Sequence, residues 1–500
     1  MQVEMSGITV RFGALTAVDQ VSLRFAPGQI HAVVGENGAG KSTVMNVLFG
    51  MITPETGNIR IEGAEKRWRN PQDAIAARLG MVHQHFMLQD AMSVLENVVL
   101  CAEPTRIFGF VDFPAARRRL EEIARLYGIG VAVDRKVADL SVSERQIVEI
   151  LKVLYRDAEM LILDEPTAVL TPQETENLFK ILRNFRESGK SIALITHKLD
   201  EVVAIADWVS VMRGGKLVRS CAMADTSKDE IARGIIGGDL PSPLTRGGQA
   251  FGATVLKVEN LSARSKGRTA GPVSFAVKRG EVVGIAGISG NGQSQIIEAL
   301  VGLRRPLAGR ITLLDRDVTE ADVAGHRDAG LSYIPADRQT VGLALDARVY
   351  ENAVIGREGT PAFSRGPLLN RPAMAGFARQ LIERFTIKVA GPTARCSSMS
   401  GGNKQKLVVG RELARETPLI IAENPTWGVD IGAIDFIHRE LIRMRDQGHA
   451  ILLVSTELDE VLALSDRILV LYEGRIAGEF AAAEADRLAI GALMTSERAA

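Results

Sequence analysis

Five hundred residues exceed what one hydrophobic core organises, so the chain holds two or more domains. Sixty basic residues balance sixty acidic ones, which argues against a nucleic-acid binder with its usual basic excess. No run of about 18 uncharged apolar residues is present to span a bilayer. The opening MQVEMSGITV has no basic-then-apolar export pattern. Cys101, Cys221 and Cys396 are widely separated, forming neither a disulfide framework nor a zinc spacing, as expected in a reducing cytoplasm.

In chain order, QIHAVVG (29–35) reads as a buried strand that runs into a glycine loop, and KSTVMNVLFG (41–50) as the helix that follows. The stretch from about 88 to 156 lacks comparable strands and is expected to be a helical subdomain. MLILDEP (160–166) and SIALITH (191–197) are apolar runs of strand length, buried on both faces as in a parallel sheet. Between them Thr171, Pro172, Gln173 and Glu174 form a capping box with proline in the first turn, opening a helix to about Ser188 that stops at Gly189.

The pattern then repeats. VSLRFAPGQIHAVVGENGAG from Val21 matches VSFAVKRGEVVGIAGISGNG from Val273, an offset of 252 residues. LSVSERQ from Leu140 matches MSGGNKQ from Met399, and ITHKLDEV from Ile195 matches VSTELDEV from Val454, both offset by 259. Self-similarity at this period is duplication of a whole α/β domain. Residues 1–238 and 254–500 are the expected domains, joined by the glycine- and proline-rich 239–253.

In GENGAGKST the residues Gly35, Glu36, Asn37, Gly38, Ala39, Gly40, Lys41, Ser42 and Thr43 have the spacing of a phosphate loop. Its backbone N–H groups face phosphate oxygens at a helix N-terminus, where the dipole favours anions. Lys41 is expected on the β- and γ-phosphates of ATP and Ser42 on Mg²⁺. Asp164 and Glu165 end a strand; Asp164 suits the Mg²⁺ shell and Glu165 a general base for the attacking water. His197 is a candidate to orient that water. Gln84, between His83 and His85, is a candidate ligand to both Mg²⁺ and water, and Phe12 is a candidate platform for adenine, with ordinary core packing the alternative.

Together with MSGGNKQK (399–406), these motifs in this order resemble the ATP-binding cassette family, over essentially the whole chain and twice. Within it the chain resembles the tandem-cassette ATPases of bacterial monosaccharide and nucleoside importers. The resemblance implies two cassettes of α/β phosphate-loop fold, each a mixed, largely parallel sheet with a helical subdomain, closing head to tail. One ATP then lies between the first copy's loop and the second copy's signature, Ser400, Gly401, Gly402, Asn403 and Gln405. That first site keeps every part of the family's active pattern.

The second site takes the opposite halves and is degraded. Its loop, GISGNGQS, keeps Gly287, Gly290, Gly292 and Ser294 but has Gln293 where Lys41 stands; Glu423 replaces Asp164, Asn424 replaces Glu165 and Thr456 replaces His197. Arg264 stands at the position of Phe12, and Asp337 or Arg338 is expected at that of Gln84. In its signature Val142 and Ser143 replace the glycines, and Glu144 is expected to bring a carboxylate towards phosphate. One hydrolytic and one non-hydrolysing site follow as the expectation.

The resemblance further implies a peripheral subunit on the cytoplasmic face of the bacterial membrane. Its implied partners are integral-membrane permease subunits and, indirectly, an extracellular solute-binding protein. The apolar run FMLQDAMSVLENVVL (86–100) is a candidate docking surface, with subdomain core the alternative. Nucleosides are the expected cargo and ribose- or galactose-type sugars the alternative, on the strength of Gln293 and VSTELDE. A soluble tandem-cassette ATPase acting on ribosomes or DNA, or a free-standing phosphotransferase, fits less well: the join is short and nearly neutral, and a phosphotransferase leaves MSGGNKQK unexplained.

Overall fold

The computed structural model describes every residue except 14, 37, 84, 85, 107, 108, 131, 168, 169, 171, 239–249, 266, 289, 367, 430 and 495–500. Asn37, Gln84 and Thr171 therefore lie outside the described residues, as does most of the join. The chain divides into two compact units, Met1–Pro241 and Ser242–Ala500.

In the first unit six strands lie side by side in the order Lys216–Ala222, Trp208–Arg213, Ile30–Gly35, Ser191–Ile195, Met160–Asp164, Leu79–Val82. All neighbours are parallel except the outer pair Lys216–Ala222 and Trp208–Arg213. The four strands from Ile30–Gly35 to Leu79–Val82 are buried along their whole length, the physical reason they read as unbroken apolar runs. A separate four-stranded antiparallel sheet opens the unit, with Val3–Phe12 between Leu15–Phe25 and Thr56–Ile61. The second unit repeats both sheets with the same neighbours, Val282–Ala286 taking the place of Ile30–Gly35. The start of each loop-leading strand is fixed alike: Asp207 Oδ2 accepts from the Ile30 N–H at 2.8 Å and Asp466 Oδ2 from that of Val282 at 2.9 Å.

The stretch from Val94 to Tyr155 is helical as expected, with Val94–Val99, Phe113–Tyr127 and Val142–Tyr155 packed on one another. Val94, Leu95, Val98 and Val99 are buried in their shared core. That half of the apolar run 86–100 is core because a helix this short buries its whole apolar face inward; of its large apolar side chains only Met87 is exposed. The helix Pro172–Glu187 ends where expected, Gly189 taking φ +82°. Among the described residues no helix is long and apolar enough to cross a membrane.

Candidate functional site

Parallel strands gather functional groups at their carboxyl ends, and the first unit follows that rule. The strand Ile30–Gly35 delivers the glycine loop, Met160–Asp164 delivers Asp164 and Glu165, and Ser191–Ile195 delivers His197. Gly40 caps the helix Lys41–Leu48 at φ +93°, and a Cβ there would lie 2.5 Å from the Ala17 carbonyl oxygen, so only glycine fits.

Lys41 is buried, and its Nζ donates to the Gly35 and Glu36 carbonyls at 2.8 and 3.0 Å. Burial pulls its pKa below the usual lysine value, against the opposing charges of Glu165, Asp164 and Glu36. Ser42 is exposed and donates from Oγ to Asp164 Oδ1 at 3.2 Å. Burial holds the Asp164 carboxyl above its usual range, with the Ser42 bond working the other way.

Glu165 sits at φ +50°, a conformation uncommon for a residue with a side chain, and its N–H donates to the Ile195 carbonyl at 2.9 Å. Its Oε1 lies 3.0 Å from His197 Nδ1. Burial pushes the Glu165 pKa up, yet the hydrogen bond from His197 and the charges of His197, Lys41 and Lys198 outweigh it and hold the carboxyl below its usual range. The Glu165 carboxyl is therefore ionised at neutral pH and tied to His197. Phe12, at the tip of the hairpin with Leu15, is 52% exposed, which removes the core-packing alternative.

The second unit keeps the backbone and changes the chemistry. Asn424 repeats the positive φ at +42°, and its N–H donates to the Val454 carbonyl at 2.7 Å. Its Oδ1, however, accepts from the Thr456 N–H at 2.8 Å, and Thr456 Oγ1 is 3.3 Å away. Gln293 is buried and donates from Nε2 to the Ile288 carbonyl at 3.1 Å, lying in the loop as Lys41 does but without charge. Gly287, Gly290 and Gly292 keep the loop; Gly290 and Gly292 take φ of +95° and +103°. Glu423 is buried and receives the Tyr333 hydroxyl at 2.6 Å. Burial raises its pKa, while Tyr333, the Ala336 N–H and Ser294 lower it.

Two expectations are corrected, the first by strand register. Leu79 pairs with Met160 and Leu331 with Leu419, so the residue matching Gln84 is Ala336, not Asp337 or Arg338. Asp337 instead caps the turn that follows, accepting from the Gln339 and Thr340 N–H groups, and Arg338 donates to the Trp427 and Gly428 carbonyls at 2.5 and 3.1 Å. The Glu144 carboxylate is engaged at its own helix end. It closes a capping box with Ser141 and pairs with Arg135 at 2.6 Å, because the spacing Ser-x-x-Glu satisfies its own helix end first.

The signature of the second unit is built differently. Ser400 starts the helix Gly401–Leu413 without a side-chain cap. Its Oγ instead takes a bond from Asn403 Nδ2 at 2.8 Å, and Asn403 Oδ1 accepts from the Lys388 N–H at 2.7 Å. Gln405 is buried, and its Nε2 donates to the Pro425 carbonyl at 2.7 Å, fastening this helix to the loop that follows Glu423 and Asn424. Sequence reasoning missed a matching strut in each unit: Thr167 Oγ1 donates to Glu201 Oε2 at 2.6 Å and Thr426 Oγ1 to Glu460 Oε1 at 2.7 Å. The signal was present, since LDEV recurs at 199–202 and 458–461.

Two glycine loops, each between a buried parallel strand and a helix, with Asp164 and Glu165 at a strand end of the first unit and Glu423 and Asn424 at the matching end of the second, define a tandem phosphate-loop nucleotide-binding protein. The ABC transporter family model matches residues 18–168 and 270–427. The chain is 40% identical over 495 residues to the nucleoside import ATP-binding protein NupA of Lactococcus lactis subsp. cremoris, covering 98% of this chain and 97% of that one. It is 42% identical over 494 residues to the guanosine import ATP-binding protein NupO of Bacillus subtilis, covering 98% and 97%. It is 41% identical over 522 residues to the glucose import ATP-binding protein TsgD13 of Haloferax volcanii, covering 98% and 95%. Among solved structures, the archaeal ribosome recycling factor aABCE1 matches in fold with a TM-score of 0.62 at 19% identity, covering 95% of this chain and 90% of that one. This chain belongs to the ABC transporter family, and it is an ATPase with two cassettes.

Proposed function

We propose that this chain is the energy-coupling subunit of an importer for nucleosides, hydrolysing ATP at a site built on Lys41, Ser42, Asp164, Glu165 and His197. The observation that carries the reading is the ionised Glu165 held by His197 at 3.0 Å beside the loop lysine, in a chain whose relatives along its whole length are named import ATP-binding proteins. The monosaccharide reading is kept because one relative of similar identity, at 41%, is named for glucose import. Domain limits of 1–238 and 254–500, with 239–253 as the join, remain our reading of the sequence.

Lys41 binds the β- and γ-phosphates once nucleotide draws it off the Gly35 and Glu36 carbonyls. Glu165 takes a proton from the attacking water, and His197 keeps that carboxylate aimed. Ser42 and Asp164 offer two oxygen donors, with Gln84 a third, which suits a hard divalent ion such as Mg²⁺; bound there it would neutralise phosphate charge. We read Ser400, Gly401, Gly402, Asn403 and Gln405 as completing this site from the second cassette, and Gly287, Gly290, Gly292, Gln293, Ser294, Glu423, Asn424 and Thr456, with Val142, Ser143 and Glu144 of the first cassette, as a second, non-hydrolysing one. The grounds for the pairing are chemical: sorted in this way, every substitution falls into a single site. Permease subunits in the membrane are the partners, fed by an extracellular solute-binding protein, with the chain peripheral on the cytoplasmic face.

Uptake of labelled nucleosides and of labelled ribose, galactose and glucose by cells lacking the chain tests this. Loss of nucleoside uptake alone is the expected result. Loss of sugar uptake alone would establish the second reading, and unchanged uptake of both would overturn the importer assignment.

A further inference from the structure

The second unit retains a glycine loop but does not fit the divalent ion its counterpart is built for. In the first unit the carboxylate at the strand end, Asp164, takes its hydrogen bond from exposed Ser42. On the neighbouring strand the position matching Tyr333, paired with Ile162 as Tyr333 is with Ile421, holds Met81, which is buried and has no donor to offer. In the second unit Tyr333 donates to Glu423 Oε2 at 2.6 Å, and the Ala336 N–H and Ser294 hydroxyl bond the same carboxylate. Glu423 is also one methylene longer than Asp164 and is bonded to a residue of the neighbouring strand in its own sheet. A hard cation needs carboxylate oxygens whose lone pairs face it; here three donors already face them.

The charge that a polyphosphate needs is supplied from another direction. The hairpin at the loop's edge carries Phe12 and Leu15 in the first unit, both exposed. In the second it carries Arg264 and Arg268, on strands paired in the register Arg264 with Thr269 and Ser265 with Arg268. Arg268 Nη1 stands 3.2 Å from where a Cβ on Gly290 would lie, so its guanidinium sits against the loop itself. Asn291, at the position of Ala39, steadies the loop by donating to the Leu471 and Met494 carbonyls at 3.1 and 2.9 Å.

We propose that the second site takes a nucleoside polyphosphate without a divalent cation, Tyr333 keeping the metal from Glu423 and Arg268 supplying the positive charge in its place. This rests on reading the second loop as a nucleotide cradle. Because a guanidinium donates from a fixed fork to phosphate oxygens, the nucleotide is held by backbone N–H groups and Arg268 and is not turned over.

The test counts metal and nucleotide separately on the full chain carrying Glu165→Gln, by equilibrium dialysis with labelled ATP and labelled Mn²⁺. Two nucleotides and one Mn²⁺ per chain are expected, with EDTA releasing one nucleotide and leaving the other. Two Mn²⁺ per chain, release of both nucleotides by EDTA, or a single nucleotide per chain would each overturn the proposal. Tyr333→Phe in the same background is expected to raise the Mn²⁺ count towards two, and a count that stays at one would remove Tyr333 from the role. Arg268→Ala is expected to weaken the metal-independent nucleotide about tenfold or more; unchanged affinity would remove Arg268. If Mn²⁺ is found twice while Glu165→Gln abolishes turnover, this proposal falls and the single hydrolytic site stands.

Discussion

Glu165→Gln isolates the chemistry of the first site from its architecture. Glutamine is nearly isosteric, and its Oε1 still accepts from His197 Nδ1 across the present 3.0 Å. The backbone bond from the residue-165 N–H to the Ile195 carbonyl is untouched, so stability should change by less than about 1 kcal/mol. Only the ability to take a proton is lost. A positioned general base contributes about 10²–10⁴ in rate, which is about 3–5 kcal/mol at about 1.4 kcal/mol per decade. Phosphate release at saturating ATP should therefore fall at least a hundredfold while nucleotide still binds. The pH profile adds a second check. Because His197 and the neighbouring cations hold the Glu165 carboxyl below its usual range, the wild-type rate should not lose its base until pH falls below the ordinary glutamate region. Residual turnover above a tenth of wild type in Glu165→Gln, or a gain of turnover on Asn424→Glu, would refute the reasoning, since Asn424 has neither histidine nor loop lysine beside it.

Three further outcomes are expected. Lys41→Ala should weaken ATP binding by about 1.5–3 kcal/mol, the worth of a charged hydrogen bond, measured by competition with a fluorescent nucleotide. In the second unit Glu412 is fully buried and receives Arg411 and Arg327 at 2.8 and 3.3 Å; Arg411→Met leaves Glu412 only the longer contact with Arg327 and should cost about 3 kcal/mol in urea unfolding, and Glu412→Gln less. His31 is buried with its pKa lowered to about 4, chiefly by burial. Its folded pKa lies below the unfolded 6.5, so the neutral ring's contribution, about 3 kcal/mol, is complete above pH 6.5 and is lost as pH falls towards 4. His31→Gln should flatten that part of the stability curve.

Periodicity made the fold legible, because a strand covered on both faces must be apolar throughout, as Met160–Asp164 and Ser191–Ile195 are. The loop lysine, the acidic strand end and His197 were legible because their spacing is set by where parallel strands end. Tyr333 and Arg268 were not. Tyr333 reaches Glu423 from the neighbouring strand and Arg268 reaches Gly290 from a hairpin, so contacts between separate elements, not chain position, bring these residues together. Strand register moved the counterpart of Gln84 to Ala336. Phe12 was ambiguous in sequence because an aromatic near a strand end suits core and surface alike, and exposure decides it.

Glu144 shows how one substitution changes two properties at once. Read as a charge, it repels phosphate; read as a capping residue, it closes the helix Val142–Tyr155 through Ser141, whose Oγ accepts from the Glu144 N–H at 3.3 Å and whose N–H donates to Glu144 Oε2 at 2.7 Å. A helix start whose N–H groups already have partners inside the chain has less to offer an anion. The second unit replaces that glutamate with Asn403, whose amide turns to Ser400 Oγ and the Lys388 N–H, and the helix Gly401–Leu413 is left without a side-chain cap. The two helix starts thus differ in capping through the residue three places after the serine, Glu144 in one and Asn403 in the other. Glu144→Asn should reopen the first, while Asn403→Glu should close the second and lower ATP turnover.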